Sequence, residues 1–304
     1  MTTSPSVNIR ACGHELDPSP QCLGTLRDCT SIADNPETLH HHMWEHGYVF
    51  LRGVLDRNEV LATRLAIVEK LVDVGAVDPA YPRMDAVAHT DYNNTAQHDL
   101  APKIPQLHRL LYNGQMMQFM TRFLGEPVRH YDYTWLRVLA PGKSTPPHCD
   151  VVYMGRGTTQ RLYTAWTPLG DIDHAMGGLA ILENSHQHQG LQQTYCQVDV
   201  DKYCMNRSSG QQVKAMFGEN GALSRNPRQL RHGLGGRWLV GEYRAGDLLV
   251  FNVFMVHCGL DNQTDRVRLS SDSRYQPQSE PIDERWNGSN PTTHGPGAKR
   301  GRIC

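Results

Sequence analysis

The sequence predicts a mainly β protein with α-helices, in which an antiparallel barrel or sandwich forms the core and N-terminal and flanking helices pack outside it. Three observations support this fold class. Helix caps and helical periodicity are concentrated between residues 35 and 125. After residue 125, short runs of β-branched and aromatic residues are bounded by Gly, Pro and Asp, which is typical of strands. The length of 304 residues is enough to bury a large core.

The first helix and the first strand have clear boundaries. Asn35 is a favourable N-cap, and Pro36 suits the first helical position. Gly47 is expected to end this helix, because glycine readily adopts the left-handed conformation found after a helix. The apolar run at residues 48–55 then predicts a buried strand.

Three further helices follow before the strand-rich part. Asp56 and Glu59 form a capping-box pattern, which begins a helix that continues to Gly75. Its core-facing stripe is predicted to consist of Val60, Leu61, Leu65, Val68 and Val72. Residues 105–124 predict two short helices, which Gly125 ends.

The remaining chain divides into strands and long irregular segments. The predicted strands lie within residues 129–139, 160–169, 177–182, 247–256 and 266–275. Residues 78–103 and 187–240 have little periodicity and many polar or turn-forming residues. We expect these two segments to be lids or loops that contact the substrate.

A single domain over residues 1–304 is the simplest organisation for this pattern. Its core is expected at about residues 46–277, and residues 1–34 and 280–304 are expected to be peripheral. The pattern does not predict whether the protein is a monomer or a homodimer.

The composition narrows the class of partner. Lys and Arg total 30 and Asp and Glu total 31, so no excess of positive charge indicates nucleic acid or an anionic membrane surface. No apolar run of about 18 residues predicts a membrane span. The N-terminus lacks a secretory signal pattern, and the eight cysteines are scattered without a CxxC pair. We therefore expect a cytoplasmic protein that acts on a small molecule.

Candidate metal ligands occur in the stretch PPHCDVVY, where His148 and Asp150 are two residues apart. In an extended strand, side chains two residues apart point to the same face, so an imidazole and a carboxylate would lie side by side. Alone, this pair does not establish a metal site, because short motifs recur by chance and two hydrogen-bonded residues at a loop edge would look the same. His257 directly follows the apolar run DLLVFNVFMV, which would deliver it to the rim of a sheet as a third ligand. Two imidazoles and one carboxylate suit iron(II) and leave positions open for a bidentate cosubstrate and oxygen.

A candidate cosubstrate site follows eleven residues after His257. Arg268 and Ser270 are expected on one face of a strand, where a guanidinium and a hydroxyl can hold one carboxylate. A keto acid that chelates the metal with its 1-carboxylate and its 2-keto group needs such an anchor for its far carboxylate. The cosubstrate that fits is 2-oxoglutarate.

Several motifs occur in an order that is typical of a known family. They are HxD, a distant His and RxS, together with the stretches HGYVFLRGVLD, TAWTPLGD and GGLAILENSH. Over roughly residues 46–277 the sequence resembles the phytanoyl-CoA dioxygenase family of iron(II)- and 2-oxoglutarate-dependent oxygenases. Two departures are ENSH, where PGSH is commoner in the family, and Gly259, where several relatives have a hydroxyl side chain.

The resemblance implies a double-stranded β-helix, a jelly-roll or cupin-like core, with the metal at one mouth. It implies that His148, Asp150 and His257 bind Fe(II), and that Arg268 and Ser270 bind the 5-carboxylate of 2-oxoglutarate. It also suggests three cofactor-binding or pocket residues: Trp166, Tyr153 and, for a carboxylate, Arg137.

The implied reaction uses O2 and 2-oxoglutarate to hydroxylate an unactivated C–H bond, with release of succinate and CO2. Related halogenases lack the carboxylate ligand, so the presence of Asp150 favours hydroxylation. Desaturation or cyclisation remains an alternative outcome. A zinc-dependent hydrolase with the same ligands and an inactive binding relative are further alternatives.

Overall fold

The computed structural model describes residues 8–202, 221–294 and 298. The strands of this part are β1 Arg10–Ala11, β2 His14–Glu15, β3 Leu23–Thr25, β4 Tyr48–Leu51, β5 Val128–His130, β6 Trp135–Leu139, β7 Thr145–His148, β8 Tyr163–Pro168, β9 Leu179–Leu182, β10 Trp238–Val240, β11 Leu248–Asn252, β12 His257–Gly259 and β13 Arg268–Pro277.

The helices are α1 Pro36–His46, α2 Arg57–Asp73, α3 Pro105–Tyr112, α4 Gly114–Leu124, α5 Val151–Met154, α6 Gln189–Gln193 and α7 Pro227–Leu234. The predicted ends of the early helices are confirmed: the Asn35 side chain accepts a hydrogen bond from Thr38 N, and Gly47 is left-handed. Asp56 likewise accepts from Glu59 N at the start of α2. Within the described residues, no helix combines the length and apolar character needed to cross a bilayer.

The larger strands form two sheets. The large sheet has the order β4-β11-β8-β13-β5, with β6 also paired to β13. The small sheet has the order β3-β10-β9-β12-β7. Pairing is antiparallel apart from the parallel pair β3–β10.

Buried strands of the large sheet separate two apolar cores. In β4, Tyr48 and Phe50 pack in a cluster with Leu179 and Ile181 of the small sheet. Val49, one position along the strand, instead belongs to the cluster that contains α2, α3 and α4. Because side chains alternate across a strand, a sheet covered on both faces reads as a continuous apolar run.

β13 also alternates, but one of its faces is polar. Leu269 and Tyr275 pack on the helical side, and the Tyr275 hydroxyl donates to Leu111 O at 2.6 Å. The polar face carries Arg268, Ser270, Asp272, Arg274 and Gln276, all buried. This face thus places three charged side chains, Arg268, Asp272 and Arg274, in the interior.

The apolar run at 247–256 is not one strand, which corrects our prediction. β11 ends at Asn252 in the large sheet, and His257 begins β12 in the small sheet. A turn between them carries the chain from one sheet to the other, and Val253, Met255 and Val256 are buried within it. The turn is apolar because it lies inside the core, so composition alone does not distinguish it from a strand.

The peripheral segments and lids also differ from expectation. Residues 8–34 contain β3, which extends the small sheet, and they bury Leu16 and Leu26. Asp283, Arg285 and Trp286 are buried rather than peripheral. The predicted lid at 187–240 ends in the core strand β10, while its residues 203–220 lie outside the described part. The segment 78–103 is largely irregular, as expected, with two short 3-10 helices.

The predicted stripe of α2 is only partly correct. Val60 and Val68 are buried, but Leu65 is exposed, and Arg64 is buried in its place. The Arg64 guanidinium donates to Leu169 O at 3.0 Å, so a long polar side chain reaches across the core to a backbone acceptor. A hydrophobicity pattern cannot anticipate such a distant partner.

Gly47 offers a test of the packing between the end of α1 and the segments that carry Met255 and His186. A Cβ on Gly47 would lie 2.3 Å from Met255 Cε and 2.6 Å from His186 Cγ, whereas Gly125 has open space. Both residues have positive φ, so an alanine at either position costs about 1–2 kcal/mol in backbone strain. We expect Gly47→Ala to lose about 1–3 kcal/mol more than the control Gly125→Ala, because overpacking is added to strain. Urea unfolding measures both variants, and equal losses would contradict this packing.

Candidate metal centre and active-site cavity

Two histidines face each other across the edge of the small sheet. His148 is the last residue of β7 and His257 is the first of β12, and the two are direct antiparallel partners. Their ring centroids are 4.2 Å apart. Backbone pairing thus brings together side chains that are more than a hundred residues apart in sequence.

Asp150 reaches the same place by a different local geometry from the one predicted. It lies beyond the end of β7, with helical φ and ψ of −66° and −27°, and caps the short helix α5. The alternation of a strand therefore does not bring His148 and Asp150 together. The chain turns at Cys149, and this turn directs the carboxylate back towards both imidazoles.

In each of these three side chains, hydrogen bonds occupy one polar atom and leave another atom free to bind a metal. Nδ1 of His148 lies 2.8 Å from Pro146 O, and Nδ1 of His257 lies 3.0 Å from Met255 O. Because a carbonyl only accepts, each Nδ1 carries a proton, and in a neutral imidazole of this tautomer the lone pair lies on Nε2. The two Nε2 atoms lie 3.7 and 3.8 Å from Oδ1 of Asp150.

The second carboxylate oxygen of Asp150 is already occupied. Oδ2 accepts a hydrogen bond from Arg274 Nη2 at 2.8 Å and another from the Thr164 hydroxyl. Oδ1 is therefore directed towards the imidazoles, and the three possible ligand atoms all lie within 4.8 Å of one another. This arrangement could hold one metal ion.

The electrostatics favour the protonation states that metal ligands require. Burial, with a contribution from the neighbouring His257, lowers the pKa of His148 to about 3. Burial alone would raise the pKa of Asp150, but the Arg274 guanidinium and the two imidazoles lower it below its ordinary value. At neutral pH the site thus contains an unprotonated Nε2 on His148 and a carboxylate. Nitrogen and oxygen donors of this kind fit iron(II).

A cavity of about 470 Å³ opens beside His148 and Asp150. Its volume lies within the range of about 300–1,000 Å³ that is usual for small-molecule sites. The aromatic part of the lining consists of Tyr133, Trp135, Tyr153 and Trp286. The basic part consists of Arg137, Arg225, Arg274, His98 and His294.

Two predicted pocket residues line this cavity. Tyr153 lies on α5, with its ring 5.6 Å from that of His148. Arg137 lies on β6, and its Nε donates to Asp272 at 2.7 Å. Arg137 thus faces the cavity as one half of an ion pair.

The remaining predicted residues lie deeper in the barrel. Arg268 Nη1 donates to Ser270 Oγ at 2.9 Å, as expected for neighbours on one face. Arg268 Nε is buried and has no hydrogen-bond partner in the described part of the chain, and burial lowers the pKa of Arg268 to about 10. Trp166 is not among the described residues that line the cavity. Its ring lies 5.9 Å from the Arg268 guanidinium and 4.6 Å from the Tyr243 ring.

The sequence interpretation missed Arg274, Thr164 and the aromatic residues Trp135 and Trp286. Arg274 had a usable signal, because it is six residues after Arg268 and shares its face of the strand. The other three contribute through long-range contacts, which have no local signature.

Comparisons with known proteins identify a family for this chain. The model of the phytanoyl-CoA dioxygenase (PhyH) family matches residues 43–270. Two relatives, each called 1-deoxypentalenic acid 11-beta-hydroxylase, are 29% identical to this chain. The protein of Streptomyces exfoliatus aligns over 84% of this chain and 87% of its own. The protein of Streptomyces arenae aligns over 83% and 85%.

Solved structures show the same fold. The non-heme alpha ketoglutarate dependent carbocyclase SnoK from nogalamycin biosynthesis has a TM-score of 0.58 at 20% identity, covering 85% of this chain and 90% of its own. The epimerase SnoN, in complex with Fe3+, alpha ketoglutarate and nogalamycin RO, has a TM-score of 0.55 at 19% identity, covering 84% and 92%. The predicted double-stranded β-helix is thereby confirmed.

The family model spans most of the chain and includes both histidines, Asp150 and the Arg268–Ser270 pair. The chain therefore belongs to the phytanoyl-CoA dioxygenase family of iron(II)- and 2-oxoglutarate-dependent oxygenases.

Proposed function

We propose that this oxygenase hydroxylates an unactivated C–H bond of a small, apolar carboxylic acid. Iron(II) would be bound by His148, Asp150 and His257, and 2-oxoglutarate would be anchored by Arg268 and Ser270. The observation that carries the proposal is the set of three converging ligand atoms, each left free by the hydrogen bonds of its own side chain.

The cosubstrate role of Arg268 is supported by its unmatched charge. Arg137 and Arg274 on the same polar surface each pair with a carboxylate. Arg268 is instead hydrogen-bonded to a neutral hydroxyl, and its Nε has no partner in the described part of the chain. A buried guanidinium in this state is suited to bind an incoming carboxylate. The Trp166 ring would stabilise the Arg268 guanidinium through a cation–π contact.

When bound, iron(II) supplies the oxidation: one atom of O2 enters succinate, the other enters the substrate hydroxyl, and 2-oxoglutarate loses CO2. The protein provides binding and orientation. His148 and His257 would bind the metal through Nε2, and Asp150 would bind it through Oδ1, because Arg274 and Thr164 occupy Oδ2. Tyr153 and the other aromatic rings of the cavity would exclude water from the substrate.

The relatives favour an acid substrate and hydroxylation as the outcome. Both are named as hydroxylases of 1-deoxypentalenic acid. Arg137 and Arg225 line the cavity and could receive the carboxylate of such a compound. Desaturation or cyclisation would start from the same hydrogen removal, and SnoK is named as a carbocyclase. A zinc hydrolase would give no role to Arg268, and an inactive relative would not need the complete ligand set.

Metal and cosubstrate binding can be observed without any substrate. Anaerobic addition of iron(II) and 2-oxoglutarate is expected to give a weak visible charge-transfer band, because the keto acid chelates the metal through its open positions. Zinc(II) with 2-oxoglutarate is the control and should give no band. A protein that binds zinc but shows no band with iron would contradict the proposed function.

The division of roles between Arg268 and Asp150 can be tested by substitution. Arg268→Ala should raise the KM for 2-oxoglutarate about 10- to 150-fold, which corresponds to losing a charged hydrogen bond of about 1.5–3 kcal/mol. Iron affinity should be nearly unchanged. Asp150→Ala should abolish succinate formation at any 2-oxoglutarate concentration. Equal loss of iron and 2-oxoglutarate binding in Arg268→Ala would contradict the assignment.

The orienting role of Arg274 predicts a different phenotype. Arg274→Gln should weaken iron(II) binding about 10- to 100-fold, as expected when a ligand loses the partner that orients it. Arg161→Gln, which removes a surface guanidinium paired with Glu126, is the matched control. Iron titrations at saturating 2-oxoglutarate, followed by the charge-transfer band, measure both. Identical iron affinities in the two variants would show that Arg274 does not orient Asp150.

A further inference from the structure

The chain beyond β13 returns to the cavity, although it lies outside the region matched by the family model. Asp283, Arg285 and Trp286 are buried, with 0, 1 and 1% exposure. Trp286 and His294 line the cavity beside the candidate metal centre. We call residues 283–294 the C-terminal wall segment.

A charge cluster anchors this segment. Arg285 Nη2 donates to Asp283 Oδ2 at 2.5 Å, and its Nη1 donates to Asp201 Oδ2 at 2.6 Å. Asp199 lies 3.3 Å from the same Nη1 and also pairs with Arg156 at 2.7 Å. A buried guanidinium held by several carboxylates has little freedom to reorient. The cluster therefore fixes the backbone position of the neighbouring Trp286.

The same cluster orients His294. His294 Nδ1 lies 2.9 Å from Asp201 Oδ2, the oxygen that also accepts from Arg285. The His294 ring packs edge-on against Trp286 at 4.9 Å and Tyr153 at 5.8 Å between centroids. The buried Asp201 carboxylate thus contacts His294 directly and holds Arg285, the neighbour of Trp286.

Trp286 connects the aromatic residues of the cavity into one surface. Its ring centroid is 4.8 Å from that of Trp135 and 5.4 Å from that of Tyr133. Its Nε1 donates to Tyr153 O at 3.3 Å, which fills the hydrogen-bonding need of the indole. The indole is only 1% exposed, so it presents a small apolar surface to the cavity and acts mainly through the rings that pack against it.

We propose that the C-terminal wall segment is the specificity element of this enzyme. Trp286 and His294 contact the apolar carbon skeleton of an acid substrate, and Arg285 is the residue that positions them. Arg137 and Arg225 line the same cavity and bind the acid group. The proposal rests on the proposed function, because it assigns the substrate class of the same site.

Binding to the iron-free, full-length protein tests the role of Trp286 independently of catalysis. Isothermal titration with 1-deoxypentalenic acid and with decanoate measures affinity for a polycyclic and a linear acid. Trp286→Ala should raise the Kd for both acids about tenfold or more, as is usual for a buried aromatic anchor. Trp286→Phe keeps a ring and should give a smaller increase. The matched control Trp44→Ala removes an indole that is 73% exposed and should leave both Kd values unchanged.

Steady-state kinetics test the positioning role of Arg285. Arg285→Gln should raise the KM for the acid while the KM for 2-oxoglutarate and the rate of succinate formation without acid stay near wild type. A merely structural role would lower succinate formation as well, and that result would overturn the assignment of Arg285.

The remaining outcomes are equally decisive. Unchanged acid affinity in Trp286→Ala, or in Trp286→Phe if the alanine variant does not fold, would overturn the role of Trp286. Failure of the wild type to bind either acid would overturn the substrate class. These results are separable from failure of the proposed function, because the charge-transfer band of iron(II) and 2-oxoglutarate needs neither Trp286 nor the acid.

Discussion

The ion pair between Asp150 and Arg274 is the interaction on which the site depends. His148 and His257 belong to the small sheet, whereas Arg274 and Thr164 belong to the large sheet. Asp150 follows a strand of the small sheet but is held by donors from the large one. The three possible metal ligands therefore converge only when the two sheets are packed together. Packing of the two sheets therefore completes the centre.

The polar face of β13 organises the interior around this pair. Alternate residues of this strand make different contacts: Arg274 donates to Asp150, Asp272 pairs with Arg137, and Arg268 has only a hydroxyl partner in the described part of the chain. Burying these groups without partners would be costly, which is why most of them are paired. Arg268 is the exception, and the carboxylate of 2-oxoglutarate would give it the partner that it lacks in the described part of the chain. An alternating pattern on a buried strand thus carries both structural and chemical information.

The sequence predicted local features and chemical composition better than geometry. Asn35, Gly47 and Asp56 act through neighbours within four residues, so their roles could be anticipated. His148, Asp150 and His257 were found from their residue types and order, although Asp150 lies in a turn and His257 begins a strand instead of following one. Such errors arise because an apolar run does not reveal where a chain leaves one sheet for another. Trp286 was missed because its contacts are with residues far away in the sequence.

Part of the cavity wall lies outside the core strands, and this has a consequence for how the substrate preference of the enzyme can change. The residues proposed to hold iron and 2-oxoglutarate lie on or beside core strands, which also hold the two sheets together. Core strands supply part of the cavity wall, such as Trp135, Arg137 and Arg274, but another part comes from segments outside those strands, namely the C-terminal wall segment and the segments around His98 and Arg225. Substitutions in the wall can alter which molecule is oxidised while the oxidising centre stays intact. The architecture thus separates the reaction from the choice of reactant, so that new substrates can be acquired without rebuilding the chemistry.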